Sequence, residues 1–172
     1  MPELPAARPA YIALFAVLTA VGGLIVIPLP FSPVPITLQT LFCLLAGAVL
    51  GKYGGALSQL FYILLGAAGL PVFSKGASGI GVLAGPTGGY IFGFVAGAYI
   101  CGLFAKKDKI ILGMAAGTLA IYAPGLVQLK FVTRLSWLKA FSAGVLPFIP
   151  GGIIKIMVGA GVYKKLQGII IK

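Results

Sequence analysis

Side chains able to do chemistry are scarce in this sequence, and their spacing excludes more than it permits. Histidine is absent, which removes Ser-His triads, imidazole metal sites and histidine general bases. The two acids, Glu3 and Asp108, fall outside the long apolar runs. No carboxylate pair can therefore sit within one, which argues against most hydrolytic chemistry and against a proton-coupled carrier built on buried acids. Cys43 and Cys101 stand singly without a CxxC, so neither a metal nor a disulfide is assigned. Residues 47–52 read GAVLGK, one residue short of the phosphate-loop spacing, and Tyr53 follows where Ser or Thr is needed; ATP hydrolysis by that route is excluded. Gly79, Gly81 and Ala84 fit GxGxxA, but no acid lies about 20 residues on and no parallel strand precedes it, so a flexible glycine loop is the reading.

Two polar features remain inside apolar sequence. Thr37, Gln39 and Thr40 follow Pro33 and Pro35. A glutamine there is either a hydrogen-bonding group for a ligand or part of an interfacial helix cap. Lys155 stands between Ile153-Ile154 and Ile156-Met157. An unpaired lysine central in a spanning helix costs roughly 2.5–3.5 kcal/mol. It either snorkels to a nearby interface or holds an anion, since the chain offers no spare carboxylate. Free amides near Gly151 and Gly152, at the start of that helix, would favour the same anion.

The elements that must position these groups are membrane helices. Of the residues, 60% are hydrophobic and 9% charged, with a mean hydropathy of +1.12; a soluble domain carries about 25% charged residues. The missing solvent is lipid. Glycine (26 residues) and proline (12) are abundant, as membrane helices allow. The opening carries Glu3 and Arg8 but no convincing cleavage site, so it reads as a first spanning helix and not as a signal peptide. The punctuation predicts six helices in an all-α bundle, residues 1–172 forming one transmembrane domain without an internal repeat. They run over about 9–27, 36–50, 56–70, 87–104, 110–128 and 148–162, the last with an earlier start near Trp137 or Ala143 left open. The prolines at 28, 30, 33 and 35 interrupt the first connection, a turn at Lys52, Gly54 and Gly55 the second, and an irregular glycine-rich segment 71–86 the third.

The net charge of +11 is read as membrane topology and not as a nucleic-acid footprint. With the N-terminus in the cytoplasm, Arg8, Lys52, Lys106, Lys107, Lys109, Lys164, Lys165 and Lys172 lie inside. Lys75, Lys130, Arg134 and Lys139 lie outside. Positive charge favours the inside, so both termini are expected in the cytoplasm. Small residues four apart recur, among them Gly47/Gly51, Gly89/Gly93, Gly93/Gly97 and Gly113/Gly117. Each pair makes a strip where another helix can approach, most simply one from the same chain. Ala16 and Ala20, with Ala13, make a stripe on the first helix that could face a separate protein instead.

Several words of the sequence, in order over nearly its whole length, resemble the BioY family, the biotin-specific substrate-binding (S) subunits of energy-coupling-factor (ECF) transporters. They are LTAVG from Leu18, PVPITLQT from Pro33, LAGA from Leu45, GLPVF from Gly69, GPTGGY from Gly85 and VLPFIPG from Val145. PVPITLQT and GPTGGY are the specific ones. The resemblance implies six helices and biotin as transported ligand, with no cofactor, no metal and no catalysis. It implies an outward-facing site closed by the loop between helices 1 and 2, with Lys155, Gly152, Thr37, Gln39, Phe73 and Tyr90 as binding residues. Ala16 and Ala20 match the family's stripe for docking on a transmembrane coupling subunit, which two ATPase subunits drive. The family's last helix usually opens Pro-Gly-Asp with a lysine three residues after the aspartate. Here Gly152 takes the aspartate's place, and Lys155 is kept. The competing readings are an S subunit for another vitamin and a structural protein that only packs helices; the identity of a co-purified ligand separates all three.

Overall fold

Proline and glycine divide the helices in the computed structural model, which describes residues 8–105 and 109–170. In chain order come α1 (Arg8–Leu24), β1 (Val26–Ile27), β2 (Ile36–Thr37), α2 (Gln39–Ala67), a 3-10 turn (Ser74–Gly76), α3 (Ile80–Ala84), α4 (Gly88–Ala105), α5 (Ile110–Thr133), α6 (Trp137–Gly144) and α7 (Phe148–Ile170). Glu3, Lys106, Lys107, Asp108 and Lys172 lie outside the described residues.

α2 is two antiparallel limbs. Gln39 bonds the hydroxyl of Tyr62, 23 residues further on; along a straight helix that separation would be about 35 Å. The chain reverses at Gly51, where φ is 75° and ψ 176°, a conformation essentially reserved for glycine. Gly55 then packs directly on the backbone of Gly47. The two limbs, residues 39–50 and 52–67, are the second and third helices expected from sequence, with the turn sharpened onto one residue. The glycine strips on α4 are likewise internal: Gly89, Gly93 and Gly97 meet the backbone or side chains of Pro124, Ile121 and Gly117 on α5.

Other boundaries differ from expectation. α1 stops at Leu24 because Val26 and Ile27 pair antiparallel with Thr37 and Ile36. The same pairing delays α2 to Gln39. α5 runs on past Gln128 into the basic stretch and ends at Arg134, which is left-handed (φ 55°); lysine is a good helix former and does not break a helix. α6 is a separate helix, its Ser136 cap accepting from the Lys139 amide. The last helix continues beyond Val162 to Ile170.

Gln39–Ala67, Gly88–Ala105 and Ile110–Thr133 have the length and apolarity to cross a membrane, and α6 with α7, bent by 42°, makes another such run. Because the first of these reverses at Gly51, and α1 adds a shorter apolar helix, the described chain offers six helical passes. Tyr62, Phe73, Leu44, Met114, Ile121 and Leu129 fill the centre. Leu112, Leu119, Ile153, Ile154 and Met157 point outward, a surface suited to lipid and not to water.

A candidate ligand-binding cavity

A cavity of about 190 Å³ lies at the end of the bundle where α2, α4 and α7 begin. Its walls are Pro33, Val34 and Pro35 from the first connection, Ser74, Lys75 and Ala77 from the glycine-rich third, and inward residues of α2, α4, α5 and α7. The prolines cannot continue a helix, so this part of the chain lies as an extended flap across the opening. Apolar lining comes from Val82, Ile91, Phe94 and Phe148 and polar lining from Thr37, Gln39, Thr40, Ser74, Thr87, Tyr90, Tyr122 and Lys155. An apolar chamber with a few converging polar groups is the ordinary form of a small-molecule site.

Lys155 reaches in from α7. Its Nζ donates to the Thr37 carbonyl oxygen at 2.6 Å and to Thr40 Oγ1 at 3.0 Å. Glu3 and Asp108 are the chain's acids and lie outside the described residues, so among those residues the ammonium meets neutral oxygens and no carboxylate. Gln39 is buried with both ends of its amide engaged: its Oε1 accepts from Thr37 Oγ1 at 3.1 Å and its Nε2 donates to Tyr62. Tyr90 lines the cavity while its hydroxyl donates to the Gly144 carbonyl at 2.7 Å, fastening α6 to α4. Ser74 Oγ is buried beside the cavity with no hydrogen-bond partner among the described residues, so a bound polar group is its natural complement.

The structure thus brings Thr37, Gln39, Tyr90 and Lys155 together in one wall. It places two other expected residues behind that wall. Phe73 is wholly buried and meets Tyr62 edge to face at 5.6 Å. Gly152 lies under the Tyr122 hydroxyl, 3.3 Å from where its Cβ would stand. Of the small-residue stripe on α1, Ala16 is 1% exposed, inside the core, and Ala20 is half-buried against the same core. α1 turns its larger residues outward instead, Leu14, Val17, Val21 and Leu24. Sequence reasoning missed Ser74 and Tyr122. A serine in a glycine-rich loop and a tyrosine in an apolar helix carry no local mark of function; adjacency of Ser74 to the GLPVF word was the one available pointer.

A model described as the BioY family matches residues 1–172. Biotin transporter BioY of Thermotoga maritima is 44% identical over 158 residues, covering 90% of this chain and 92% of that protein. Probable biotin transporter BioY of Pyrococcus horikoshii is 44% identical over 158 residues, covering 91% and 94%. Biotin transporter BioY of Rhizobium etli is 39% identical over 162 residues, 86% of each chain. Among solved structures, the S-component for biotin from an ECF-type ABC transporter superposes with a TM-score of 0.89 at 28% identity, covering 98% of this chain and 94% of that one.

Proposed function

We infer the function from one premise: this chain belongs to the BioY family. It is a multi-pass membrane protein and not an enzyme, the substrate-binding S subunit for biotin uptake by an ECF-type transporter. Its partners are then biotin, lipid, a transmembrane coupling subunit and ATPase subunits that supply the energy this chain cannot.

The observation that carries the binding reading is the mixed wall of the cavity. Biotin has an apolar bicyclic body, a ureido group and a carboxylate. Ile91, Phe94 and Phe148 suit the body. Lys155 offers an ammonium donor, and Ser74 a hydroxyl without a partner among the described residues. We assign Lys155, Thr37, Gln39 and Tyr90 to the site, add Ser74 and Tyr122, and give Phe73 and Gly152 the role of supporting Tyr62 and Tyr122 from behind. The cavity lies at the end of the bundle bearing Lys75, opposite Lys52 and Lys165, so cytoplasmic termini make it outward-facing. Isothermal titration of the detergent-purified protein tests the ligand: heat with biotin and none with other vitamins is expected. Heat with another vitamin and none with biotin overturns the substrate while leaving the architecture.

A further inference from the structure

Between α5 and α7 the chain makes a detour through α6, none of whose residues lines the cavity. α5 ends at left-handed Arg134, and α6 follows at an angle to α7. α6 is two-faced. Ala140 and Gly144 are buried, and Gly144 is tied to Tyr90, while Trp137 and Leu138 are 54% and 77% exposed and Phe141 also faces out. Beside this apolar face lie Lys130, Arg134 and Lys139. Lys130 Nζ sits 4.2 Å from the Phe131 ring centre and 5.1 Å from that of Trp137, and the two rings meet edge to face at 6.5 Å. Arg134 and Lys139 are exposed. The described residues include no Asp or Glu, so none of these three cations has a carboxylate partner among them.

A short helix with Trp, Leu and Phe on one side and cations beside it suits the membrane interface, where aromatic rings favour headgroup depth. The two rings hold Lys130 by cation–π attraction in a preformed position. We propose that Lys130, Arg134 and Lys139, framed by Phe131 and Trp137, bind the phosphate of an anionic phospholipid in the leaflet on the cavity side. Charge complementarity selects this occupant. A zwitterionic headgroup would bring its own ammonium against three unopposed cations, whereas an anionic one brings none, and Leu138 and Phe141 give its acyl chains a surface. The inference rests on the membrane reading alone and is independent of the transported ligand.

The sequence has a single tryptophan, and it is Trp137, so intrinsic fluorescence reports this site directly. The protein is placed in mixed vesicles of phosphatidylglycerol and phosphatidylcholine, with either lipid carrying dibrominated acyl chains that quench neighbouring indole. A basic residue near an anionic surface contributes about 1 kcal/mol, or about fivefold in occupancy. The expected result is a relative binding constant favouring phosphatidylglycerol by at least about fivefold. It should fall toward unity in the triple variant Lys130→Gln, Arg134→Gln, Lys139→Gln and stay unchanged in Lys164→Gln, Lys165→Gln at the other end. Equal quenching by the two brominated lipids in the unaltered protein, or a preference that survives the triple substitution, overturns the proposal. So does loss of the preference on adding inorganic phosphate, which would make the cluster a free-anion site.

Discussion

An ammonium group has three N–H donors, and Lys155 spends two of them on the Thr37 carbonyl and the Thr40 hydroxyl. The third is free to meet a ligand oxygen, in surroundings where no described carboxylate competes. Lys155→Ala should therefore weaken biotin binding by about 1.5–3 kcal/mol, the range for a hydrogen bond to a charged group, or roughly 10- to 150-fold in the dissociation constant read by titration. Unchanged affinity would leave Lys155 as a tie between α7 and the flap and nothing more. Gly152→Asp probes which end of the ligand the lysine holds. The new carboxylate stands three residues before Lys155 on the same helical face, and it must push aside the Tyr122 hydroxyl, now 3.4 Å from the Phe148 carbonyl. Affinity falls if the lysine binds the biotin carboxylate, because the aspartate competes for it. Affinity rises if the lysine binds the ureido carbonyl, because the aspartate accepts the ring N–H. Lys155, Thr37 and Gln39 were legible in the sequence because polar side chains inside apolar runs need partners. Ser74 and Tyr122 were not, since hydroxyls become site residues only when the fold brings distant segments together.

At the scale of elements, the hairpin of α2 positions the site. Its first limb carries Gln39 and Thr40, its second carries Tyr62, and only a reversal between them lets Gln39 and Tyr62 meet. Gly51 makes that reversal, and a Cβ there would touch nothing within 4 Å, so an alanine acts through the backbone alone. Gly51→Ala should destabilise the protein by about 1–3 kcal/mol, seen as a lower thermal midpoint in detergent, with biotin affinity of the folded fraction unchanged. Gly161→Ala is the matched control. It too has open space at its Cβ but no positive φ, so it should be neutral or stabilising by up to about 1 kcal/mol. The turn itself was readable from the glycine cluster that follows Lys52. The ends of α1 and α5 were not: the pairing of Val26 with Thr37 is a long-range contact, and the lysines after Gln128 are compatible with helix and loop alike. The setting of the alanine stripe was illegible for a related reason. Spacing placed Ala16 and Ala20 on one face, but whether that face meets a partner or the core depends on how α1 rolls against α2.

Over the whole molecule, charge and cavity divide between the two ends. Lys75, Lys130, Arg134 and Lys139 surround the end with the cavity, and Lys52, Lys109, Lys164 and Lys165 the other. Those described residues alone balance. The excess that favours cytoplasmic termini comes from Arg8, Lys106, Lys107 and Lys172, at chain ends and in the connection between α4 and α5, where short-loop charge sets orientation. An importer that captures ligand from outside would need its cavity there, which is the topology the charge count predicts. Cys43 and Cys101 are buried, which leaves introduced surface cysteines as clean reporters. In intact cells, Lys75→Cys, exposed on the third connection, should react with a membrane-impermeant maleimide, whereas Lys165→Cys should react only after the cells are opened. A fluorescent-protein fusion after Lys172 should be bright, because it matures in the cytoplasm, and an alkaline phosphatase fusion at the same place should be inactive. The reverse pattern at both cysteines would turn the cavity toward the cytoplasm; the chain would then present its ligand to the inner face, and uptake would need a different explanation of how biotin reaches Lys155.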